Sequence, residues 1–294
     1  MISLKASLIA NPVAGKRAFR SIKKIEDMLR EKVSLTTLIT RKQGDAHDFA
    51  KKNSETDLII VAGGDGTFNE VINGVLFARE IEPDRKNSPL ALVPLGTTNV
   101  LAQELGIPKD IKKAVNLALT GTPKKISLGR INGSYFTLMA GIGFDGRAVL
   151  GVKNNIKKIA GKGAYIISGF KALSGYNPPL IEVKTGEGTF TGYSAVVGNT
   201  RYYAGRFQVT PGADIIKPEL DLCLLKRKTK TSLLKFVSGI IMKRHLNLKD
   251  VLYGKYSELE ISSKKPVHVQ IDGDYFGTLP VKITAIKDAV NVIW

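Results

Sequence analysis

Three glycines surround the carboxylate of Asp65 at the start of the stretch GGDGTFNEVING, which spans residues 63–74. Glycine has no Cβ, so the backbone N–H groups of such a loop can close on a ligand. A helix that starts there adds partial positive charge at its N-terminus, and the two features together favour a phosphate group. A phosphate alone would repel Asp65, so the carboxylate indicates a cation between the two, most simply Mg²⁺. The stretch therefore predicts a nucleotide site rather than a plain anion site.

A second loop repeats the core of the first. The stretch LALVPLGTTNVLAQEL at 90–105 contains Gly96-Thr97-Thr98-Asn99, which matches the Gly-Thr-x-Asn pattern that begins at Gly66. The spacing is that of one strand and one helix, so both loops are expected at the carboxyl ends of parallel strands. Alone, the second loop would fit an Asn-containing turn equally well, and its likeness to the first favours the nucleotide interpretation.

The elements that would carry these loops alternate along the first part of the chain. Apolar runs predict buried strands, and helical patterns separate them. The predicted strands are 4–10, 34–40, 57–62 and a run that begins at 90, and the predicted helices lie near 17–31, 45–53 and 110–121. Strands that alternate with helices indicate a parallel sheet covered on both faces.

Near Pro123 the pattern changes to short alternating runs separated by Gly, Pro, Asn and Asp, which is typical of antiparallel sheets. The predicted fold class is therefore α/β plus β. It combines an N-terminal parallel α/β domain over 1–123 with a C-terminal antiparallel β-sandwich domain over 124–287. Helical stretches near 155–174 and 231–245 interrupt the second domain, and a last strand near 288–294 could return to the first. A ligand is expected in the cleft between the domains.

The chain carries 44 Lys and Arg residues against 26 Asp and Glu residues, and its net charge of +18 indicates anionic partners. No nucleic acid partner is expected, because no helix-turn-helix, aromatic RNP-type or zinc-module pattern is present. Basic residues cluster at 153–162 and at 226–230, and the second cluster precedes an apolar helical pattern at 231–245. That segment could lie on an anionic membrane, or it could be a solvated charge run beside a helix packed in the core, which is the commoner case.

The cysteine and histidine content indicates the compartment and excludes some chemistries. Cys223 is the single cysteine, which excludes an intrachain disulfide and fits a reducing cytoplasm. The three histidines are scattered, so neither a zinc site nor a histidine-based triad is expected. No signal-peptide pattern or spanning-length apolar run occurs. We expect a cytoplasmic protein, peripheral at the inner membrane surface, and a homodimer through an edge strand stays open.

Five ordered motifs carry a family resemblance. They are Asn11-Pro12-x-Ala14-Gly15, GGDGTFNEVING at 63–74, PLGTTNVLAQELGIP at 94–108, GIGFDG at 141–146 and IDGD at 271–274. Together they resemble the diacylglycerol kinase catalytic-domain family, which includes bacterial lipid kinases and the sphingosine and ceramide kinases. The GGDGT core is shared with NAD kinases and phosphofructokinases, whereas its continuation and the second Gly-Thr-x-Asn are far more specific.

The resemblance implies ATP-dependent phosphorylation of a lipid hydroxyl, with a diacylglycerol-like or sphingoid-like substrate. Asp65 is implied to act in catalysis as a ligand of the Mg²⁺ of Mg-ATP, directly or through water. The residues implied to line the nucleotide and its phosphates are Asn11, Thr40, Gly63, Gly64, Gly66, Thr67, Glu70, Gly96, Thr97 and Asn99. Phosphoryl transfer needs mainly positioning and charge neutralisation, which such loops provide.

The general base proposed for the family is the glutamate of an Asp-Gly-Glu turn, where this chain has Asp272-Gly273-Asp274. Asp274 is one methylene shorter, which reduces its reach by about 1.5 Å. A general base must come within about 2.6 to 3.2 Å of the hydroxyl oxygen or act through one water. Asp274 is the expected base, although Asp272-Gly273 also fits a plain hairpin turn.

Three further sites depart from the family pattern, and a fourth, Asp145, leaves a choice open. Val100 and Ser127 stand where diacylglycerol-specific bacterial members usually carry aspartate, which leaves a sphingoid substrate open. Lys217-Pro218 stands where the family commonly binds a structural Mg²⁺, so none is expected there, and the lysine charge could replace it. Asp145 in GIGFDG could be a turn residue or could face the lipid head group.

Two other functions stay open at this point. An NAD kinase-like enzyme would share the GGDGT core and would phosphorylate NAD instead of a lipid. A catalytically silent lipid- or nucleotide-binding regulator would account for Asp274, Val100 and Ser127, and it would bind ligands without turnover.

Overall fold

The computed structural model of the protein describes residues 4–15, 17–53, 56–84, 86–144, 146, 177–203 and 205–294. The chain forms two compact units, one of Met1–Ser127 with Lys287–Trp294 and one of Leu128–Ile286. The predicted helix at 155–174 and the basic cluster at 153–162 lie outside the described residues. Within the described ranges, none of the helices has the length and apolar character needed to cross a bilayer.

The first unit is built on a parallel sheet. Its strands are β1 (Lys5–Ala10), β2 (Ser34–Ile39), β3 (Leu58–Gly63) and β4 (Leu90–Pro94). They run in the order β2-β1-β3-β4, and each neighbouring pair is parallel. Strands β3 and β4 are buried along their whole length, as expected for continuous apolar runs in a sheet covered on both faces.

Helices follow the strands of this sheet, and their apolar faces build its core. They are α1 (Ala18–Arg30), α2 (Asp45–Lys52), α3 (Asp65–Ile81), α4 (Val100–Glu104) and α5 (Ile111–Thr120). Helix α1 buries Ala18, Ile22, Ile25 and Leu29, whose spacing of three or four places them on one helix face. The predicted parallel α/β architecture is confirmed.

The second unit is an antiparallel β-sandwich. Its strands are β5 (Pro123–Ile131), β6 (Ser134–Phe136), β7 (Met139–Ile142), β8 (Ile181–Thr185), β9 (Gly188–Gly192), β10 (Ser194–Gly198), β11 (Tyr202–Tyr203), β12 (Phe207–Gln208), β13 (Leu220–Leu225), β14 (Val251–Tyr256), β15 (Glu258–Ser262), β16 (His268–Ile271), β17 (Asp274–Thr278) and β18 (Val281–Ile293). One sheet has the order β14-β13-β10-β7-β16-β17, and the other contains β18-β15-β8-β9 with β5 and β6. Alternate residues of both sheets fill one apolar core, which confirms the predicted sandwich.

The last strand belongs to both units. Its first part pairs with β15 in an antiparallel register, and Val292 and Ile293 pair in parallel with Leu90 and Ala91 of β4. Three strands of the second unit, β11, β14 and β17, are not among the short alternating runs expected from the sequence. Helix α6 (Lys230–Ile241) and a short 3-10 turn (His245–Asn247) occupy the predicted helical stretch at 231–245.

Candidate functional site

The first glycine loop joins β3 to α3, and glycine is favoured at its positions for different physical reasons. A Cβ on Gly63 would lie 2.7 Å from the Cβ of Thr67, so the buried threonine packs where a side chain would otherwise be. A Cβ on Gly66 would meet no atom within 4 Å, and this exposed residue leaves the loop open to approach. The glycines of one motif thus serve two purposes. They allow close packing inside the loop and leave open space outside it.

The second glycine loop lies directly against the first. The backbone N–H of Leu95 donates to the Gly63 carbonyl oxygen at 2.8 Å. A Cβ on Gly96 would lie 2.8 Å from the Cα of Gly64, so neither position has room for a side chain beside the other. Since β3 and β4 are neighbouring parallel strands, their carboxyl ends bring the two loops side by side, as the sequence predicts.

Asp65 ties the two loops together. Its Oδ2 accepts the N–H of Val100 at 2.9 Å, and its Oδ1 accepts the N–H of Leu101 at 2.9 Å. These are the first two residues of α4, whose N-terminal N–H groups have no partner within the helix. Burial raises the pKa of the Asp65 carboxyl, and the hydrogen bonds from Leu101 and Val100 oppose that rise. The expected role of Asp65 as an Mg²⁺ ligand stays a prediction.

Asn99 supplies an acceptor that the protein leaves unused. The residue has φ 50°, a left-handed conformation that asparagine tolerates, and its Nδ2 donates to the Gly96 carbonyl oxygen at 2.7 Å. Its Oδ1 is buried and has no hydrogen-bond partner within the described part of the protein. Leaving a buried acceptor without a donor costs about 1 to 3 kcal/mol. Oδ1 would lie 2.5 Å from a Cβ on Gly96, so it lies directly over the glycine loops.

Asn11 brings the end of β1 into the same group. Its Nδ2 donates to the Thr67 hydroxyl at 3.0 Å, and its Oδ1 accepts the N–H of Val13 at 3.0 Å. The following loop also touches the second glycine loop, because a Cβ on Gly15 would lie 2.5 Å from the Leu95 carbonyl oxygen. Three adjacent strand ends therefore meet at one edge of the sheet.

The remaining predicted nucleotide residues lie around this edge. Thr40 is buried and follows β2, with its N–H donating to the Ala10 carbonyl oxygen at 2.9 Å. Glu70 is half-buried on the second turn of α3, and Thr97 is exposed in the second loop. The structure thus brings the glycines, Asp65, Thr67, Asn11 and Asn99 together. Thr40 lies two strands away from β3, a separation of about 10 Å.

Two arginines missed by the sequence analysis border the site. An open cavity beside the loop between β1 and α1 is lined by Pro12, Gly15, Arg17, Ala18, Phe19 and Arg20. The guanidinium groups of Arg17 and Arg20 can neutralise phosphate charge there. Their only sequence signal is their position after a glycine-containing loop at a strand end.

In the second unit, Asp272 anchors the hairpin that carries Asp274. Asp272 and Gly273 have φ 49° and 90° and form the turn between β16 and β17. The Asp272 carboxylate accepts four hydrogen bonds of 2.7 to 2.9 Å, from the N–H and hydroxyl of Thr137 and the N–H groups of Leu138 and Met139. Burial raises the pKa of Asp272, and these donors oppose the rise. The hairpin interpretation of Asp272-Gly273 is therefore correct.

Asp274 follows this anchored turn as the first residue of β17, opposite Ile271, and it is exposed. An exposed carboxylate on a fixed turn is accessible to a substrate, and its role as general base stays a prediction. Asp145, the possible head-group residue of the sequence analysis, lies outside the described residues.

A lysine other than Lys217 neutralises the buried carboxylate near Lys217-Pro218. Asp221 of β13 is 0% exposed, and the Lys255 ammonium donates to its Oδ1 at 2.7 Å and to the Gly212 carbonyl oxygen at 2.6 Å. The Tyr253 hydroxyl donates to the other carboxylate oxygen. Lys217 itself is exposed. Lys255 stands opposite Asp221 in the strand register, which sequence spacing alone does not show.

The residues of the first site fit Mg²⁺ only in the company of a phosphate. No group of three or more His, Cys, Asp or Glu side chains that could hold a metal occurs among the described residues. Mg²⁺ is commonly held by one or two carboxylates together with substrate phosphates and water. Asp65 provides one carboxylate at the glycine loops, so its donor set suits a metal that arrives with a nucleotide.

Two family models match the chain. The diacylglycerol kinase catalytic domain matches residues 5–131, and the YegS C-terminal NAD kinase beta sandwich-like domain matches residues 139–294. A Bacillus subtilis (strain 168) protein named diacylglycerol kinase is 29% identical over 98% of this chain and 96% of its own length. A Staphylococcus epidermidis protein of the same name is 28% identical over 98% of this chain and 91% of its own.

A solved structure agrees with these sequence matches. The crystal structure of a candidate diacylglycerol kinase from Bacillus anthracis superposes with a TM-score of 0.82 at 25% identity, over 100% of this chain and 98% of that one. The matches define an enzyme of the lipid kinase class, a phosphotransferase. More particularly, the chain belongs to the diacylglycerol kinase catalytic-domain family, with the YegS-type C-terminal domain.

Proposed function

We propose that the protein transfers the γ-phosphate of Mg-ATP to the hydroxyl of a diacylglycerol-like or sphingoid-like lipid. The observation that carries the ATP part is the pair of glycine loops joined by Asp65. Close-packed glycines, a helix N-terminus at α3 and open space at Gly66 suit a polyphosphate. The buried Oδ1 of Asn99 awaits a donor, which the nucleotide or an ordered water would supply.

In this proposal, each residue of the candidate nucleotide site in the first unit has a definite role. The backbone of Gly64, Gly66 and Gly96 would hold the phosphates, while Asn11 and Thr67 hold the end of β1 against the first loop. Arg17 and Arg20 reduce the negative charge that would repel the attacking oxygen. Asp65 would hold the Mg²⁺ of Mg-ATP, and the chemistry that this ion would supply is neutralisation of negative charge on the phosphates.

Asp274 would take the proton of the lipid hydroxyl. As that proton leaves, the hydroxyl oxygen bonds to the γ-phosphorus, the bond to the bridging oxygen breaks, and ADP departs. The anchored turn at Asp272 restricts where the Asp274 carboxylate can be. Val100 and Ser127 are both buried, and neither side chain has a carboxylate that could hold the metal. Both lipid classes therefore have to be tested.

The test measures phosphate transfer from labelled Mg-ATP into a total lipid extract, with NAD as a parallel acceptor. We expect a labelled lipid with the wild type and none with Asp65→Ala or Asp274→Ala. The head group of the labelled lipid distinguishes a glycerolipid from a sphingoid. Label in NAD alone would favour the NAD kinase-like alternative. ATP binding without any labelled product would favour the silent regulator.

An anionic membrane surface is the expected meeting place of enzyme and lipid. A diacylglycerol or sphingoid substrate stays within a bilayer, and a protein of net charge +18 is attracted to acidic lipids. We therefore propose a peripheral protein of the inner membrane surface.

A further inference from the structure

Helix α6 carries two apolar faces, and only one of them is packed. Leu233 and Phe236 are buried in the second unit. A second stripe consists of Leu234, Val237 and Ile241, which are 46%, 39% and 61% exposed. Spacings of three and four residues place these three side chains on one face of the helix. One face of the helix is thus packed in the core, and the other is exposed.

Two further exposed apolar residues follow the end of the helix. Met242 is 62% exposed and Leu246 is 36% exposed, and both lie in the chain that follows α6. Single exposed apolar side chains are ordinary, whereas a contiguous group of this kind marks an interaction surface. We call Leu234, Val237, Ile241, Met242 and Leu246 the α6 outer face.

The charge around the α6 outer face has one sign. Between residues 226 and 249 the chain contains no Asp or Glu. Its basic residues there are Lys226, Arg227, Lys228, Lys230, Lys235, Lys243, Arg244 and Lys249. Asp250, the next residue, pairs with Arg227 at 3.0 Å. An apolar stripe flanked by cationic side chains is complementary to an anionic bilayer surface.

We propose that the α6 outer face docks on an anionic lipid bilayer, with its apolar side chains at the acyl boundary and its basic rim on the head groups. The proposal rests on the proposed lipid kinase function, which requires the enzyme to meet its substrate at a bilayer. A protein partner fits the charges less well, because lysine is depleted at protein interfaces.

The test is co-sedimentation with vesicles of phosphatidylglycerol and phosphatidylcholine, compared with phosphatidylcholine alone. The wild type is expected to bind the anionic vesicles and to release them as salt is raised. The double variant Leu234→Gln/Ile241→Gln should partition more than about tenfold less, since two apolar side chains leave the interface. Wild-type protein that ignores anionic vesicles, or a double variant that binds within twofold of it, would overturn the proposal.

A matched control separates this surface from apolar exposure in general. Ile81, at the end of α3, is 57% exposed in the first unit. Ile81→Gln makes the same chemical change and should leave vesicle binding within about twofold of wild type. An equal loss in Ile81→Gln would place the docking surface elsewhere and contradict the proposal.

A soluble acceptor distinguishes failure of docking from failure of the kinase function. With short-chain diacylglycerol or sphingoid base below its micelle concentration, the double variant should work within twofold of wild type, while its rate on vesicles falls. If neither protein phosphorylates any soluble acceptor, the lipid kinase function fails, and the vesicle-binding result still decides the docking proposal.

A labelled variant reports contact directly and does not depend on the double variant folding. Val237→Cys would carry an environment-sensitive fluorophore, because burial makes the native Cys223 inaccessible and raises its pKa to about 12. The emission should shift to shorter wavelength with anionic vesicles. An unchanged emission at a vesicle concentration that binds the protein would overturn the proposal.

Discussion

Asp65 has two tasks at the scale of a single residue. In the folded chain its carboxylate accepts one N–H from Val100 and one from Leu101, so it holds the second loop in place before any ligand binds. In the proposed reaction the same group supports the metal of Mg-ATP. The glycines explain only the close approach of the loops, whereas the carboxylate explains why they stay together.

We predict that Asp65→Asn lowers both stability and ATP binding. The amide offers a single oxygen, so one of the two N–H groups loses its acceptor, at a cost of about 1 to 3 kcal/mol. Thermal unfolding with and without Mg-ATP measures both effects, and the ATP-induced shift should disappear.

The matched control for this residue is Asp110→Asn. Asp110 caps α5 by accepting the Lys113 N–H at 3.0 Å, and asparagine caps a helix equally well. This variant should stay within about 0.5 kcal/mol of wild type and bind ATP normally. If Asp65→Asn had the same stability and ATP binding as Asp110→Asn, both proposed roles of Asp65 would be contradicted.

At the scale of elements, the hairpin of β16 and β17 separates anchoring from chemistry. Asp272 points back into its own unit and binds the chain between β6 and β7, while Asp274, two residues later, is exposed. Alternation along the turn therefore gives two carboxylates in one motif opposite environments. The turn has positive φ at both central residues, as hairpin turns of this type require.

Two substitutions in this hairpin should affect different properties of the protein, one its stability and the other its catalytic rate. Asp272→Ala removes the acceptor of four donors and should cost about 3 kcal/mol or more in unfolding free energy. Asp274→Asn changes an exposed side chain, so stability should change by less than about 1 kcal/mol while kcat falls about 10²- to 10⁴-fold. Urea unfolding and lipid phosphorylation measure the pair. An active Asp274→Asn variant would remove Asp274 as the base.

Strands β13 and β14 are joined by the ion pair between the fully buried Asp221 and Lys255, whose side chain is 37% exposed. Lys255→Met should destabilise the protein by about 3 to 5 kcal/mol, because a fully buried carboxylate would lose its charged partner. Lys282→Met is the control, since its 2.7 Å pair with Glu258 is exposed to solvent and should contribute little to stability. Equal unfolding midpoints of the two variants would contradict this role of Lys255.

At the scale of the whole molecule, charge and pH both act on the folded state. The excess of basic groups favours anionic surfaces, and the unpacked face of α6 provides a place for contact. Helix α6 itself is held by His245, whose ring stacks edge-on against Phe236 and whose Nε2 lies 2.9 Å from the Val209 carbonyl oxygen. Its Nδ1 is buried without a partner within the described residues.

Stability is predicted to fall as the pH drops below about 6.5, the usual pKa of histidine. Burial lowers the pKa of His245, so the unfolded chain binds a proton more readily than the folded one. The neutral ring makes its full contribution to the free energy of unfolding above the pKa that the histidine has in the unfolded chain. As the pH falls below that value, the contribution is lost at up to about 1.4 kcal/mol per pH unit. Urea midpoints between pH 7.5 and 5.5 should decrease more steeply for wild type than for His245→Gln. Parallel curves would contradict the role of His245.

Much of the fold follows from pattern alone. Continuous apolar runs of five or six residues identified the parallel strands, because strands buried on both faces have no polar side to show. Strand β17 escaped notice because its sequence, DYFGT, contains few apolar residues and its place depends on pairing with β16. Strand β14 was missed for a similar reason, since glycine and lysine interrupt its alternation.

The functional residues can also be divided into those that the sequence identified and those that only the tertiary structure revealed. The sequence by itself determined the two glycine loops and their common edge, since local composition sets turn geometry and parallel strands align their ends. Only the tertiary structure decided that Asp65 caps α4, that Asn99 keeps a buried acceptor free, and that Lys255 rather than Lys217 meets Asp221. The contacts of Asp65 and Lys255 join residues far apart in the chain, and strand register determines them. Burial determines that the Asn99 acceptor has no partner. Burial also decided which apolar face of α6 is packed, because both faces have the same helical spacing in the sequence.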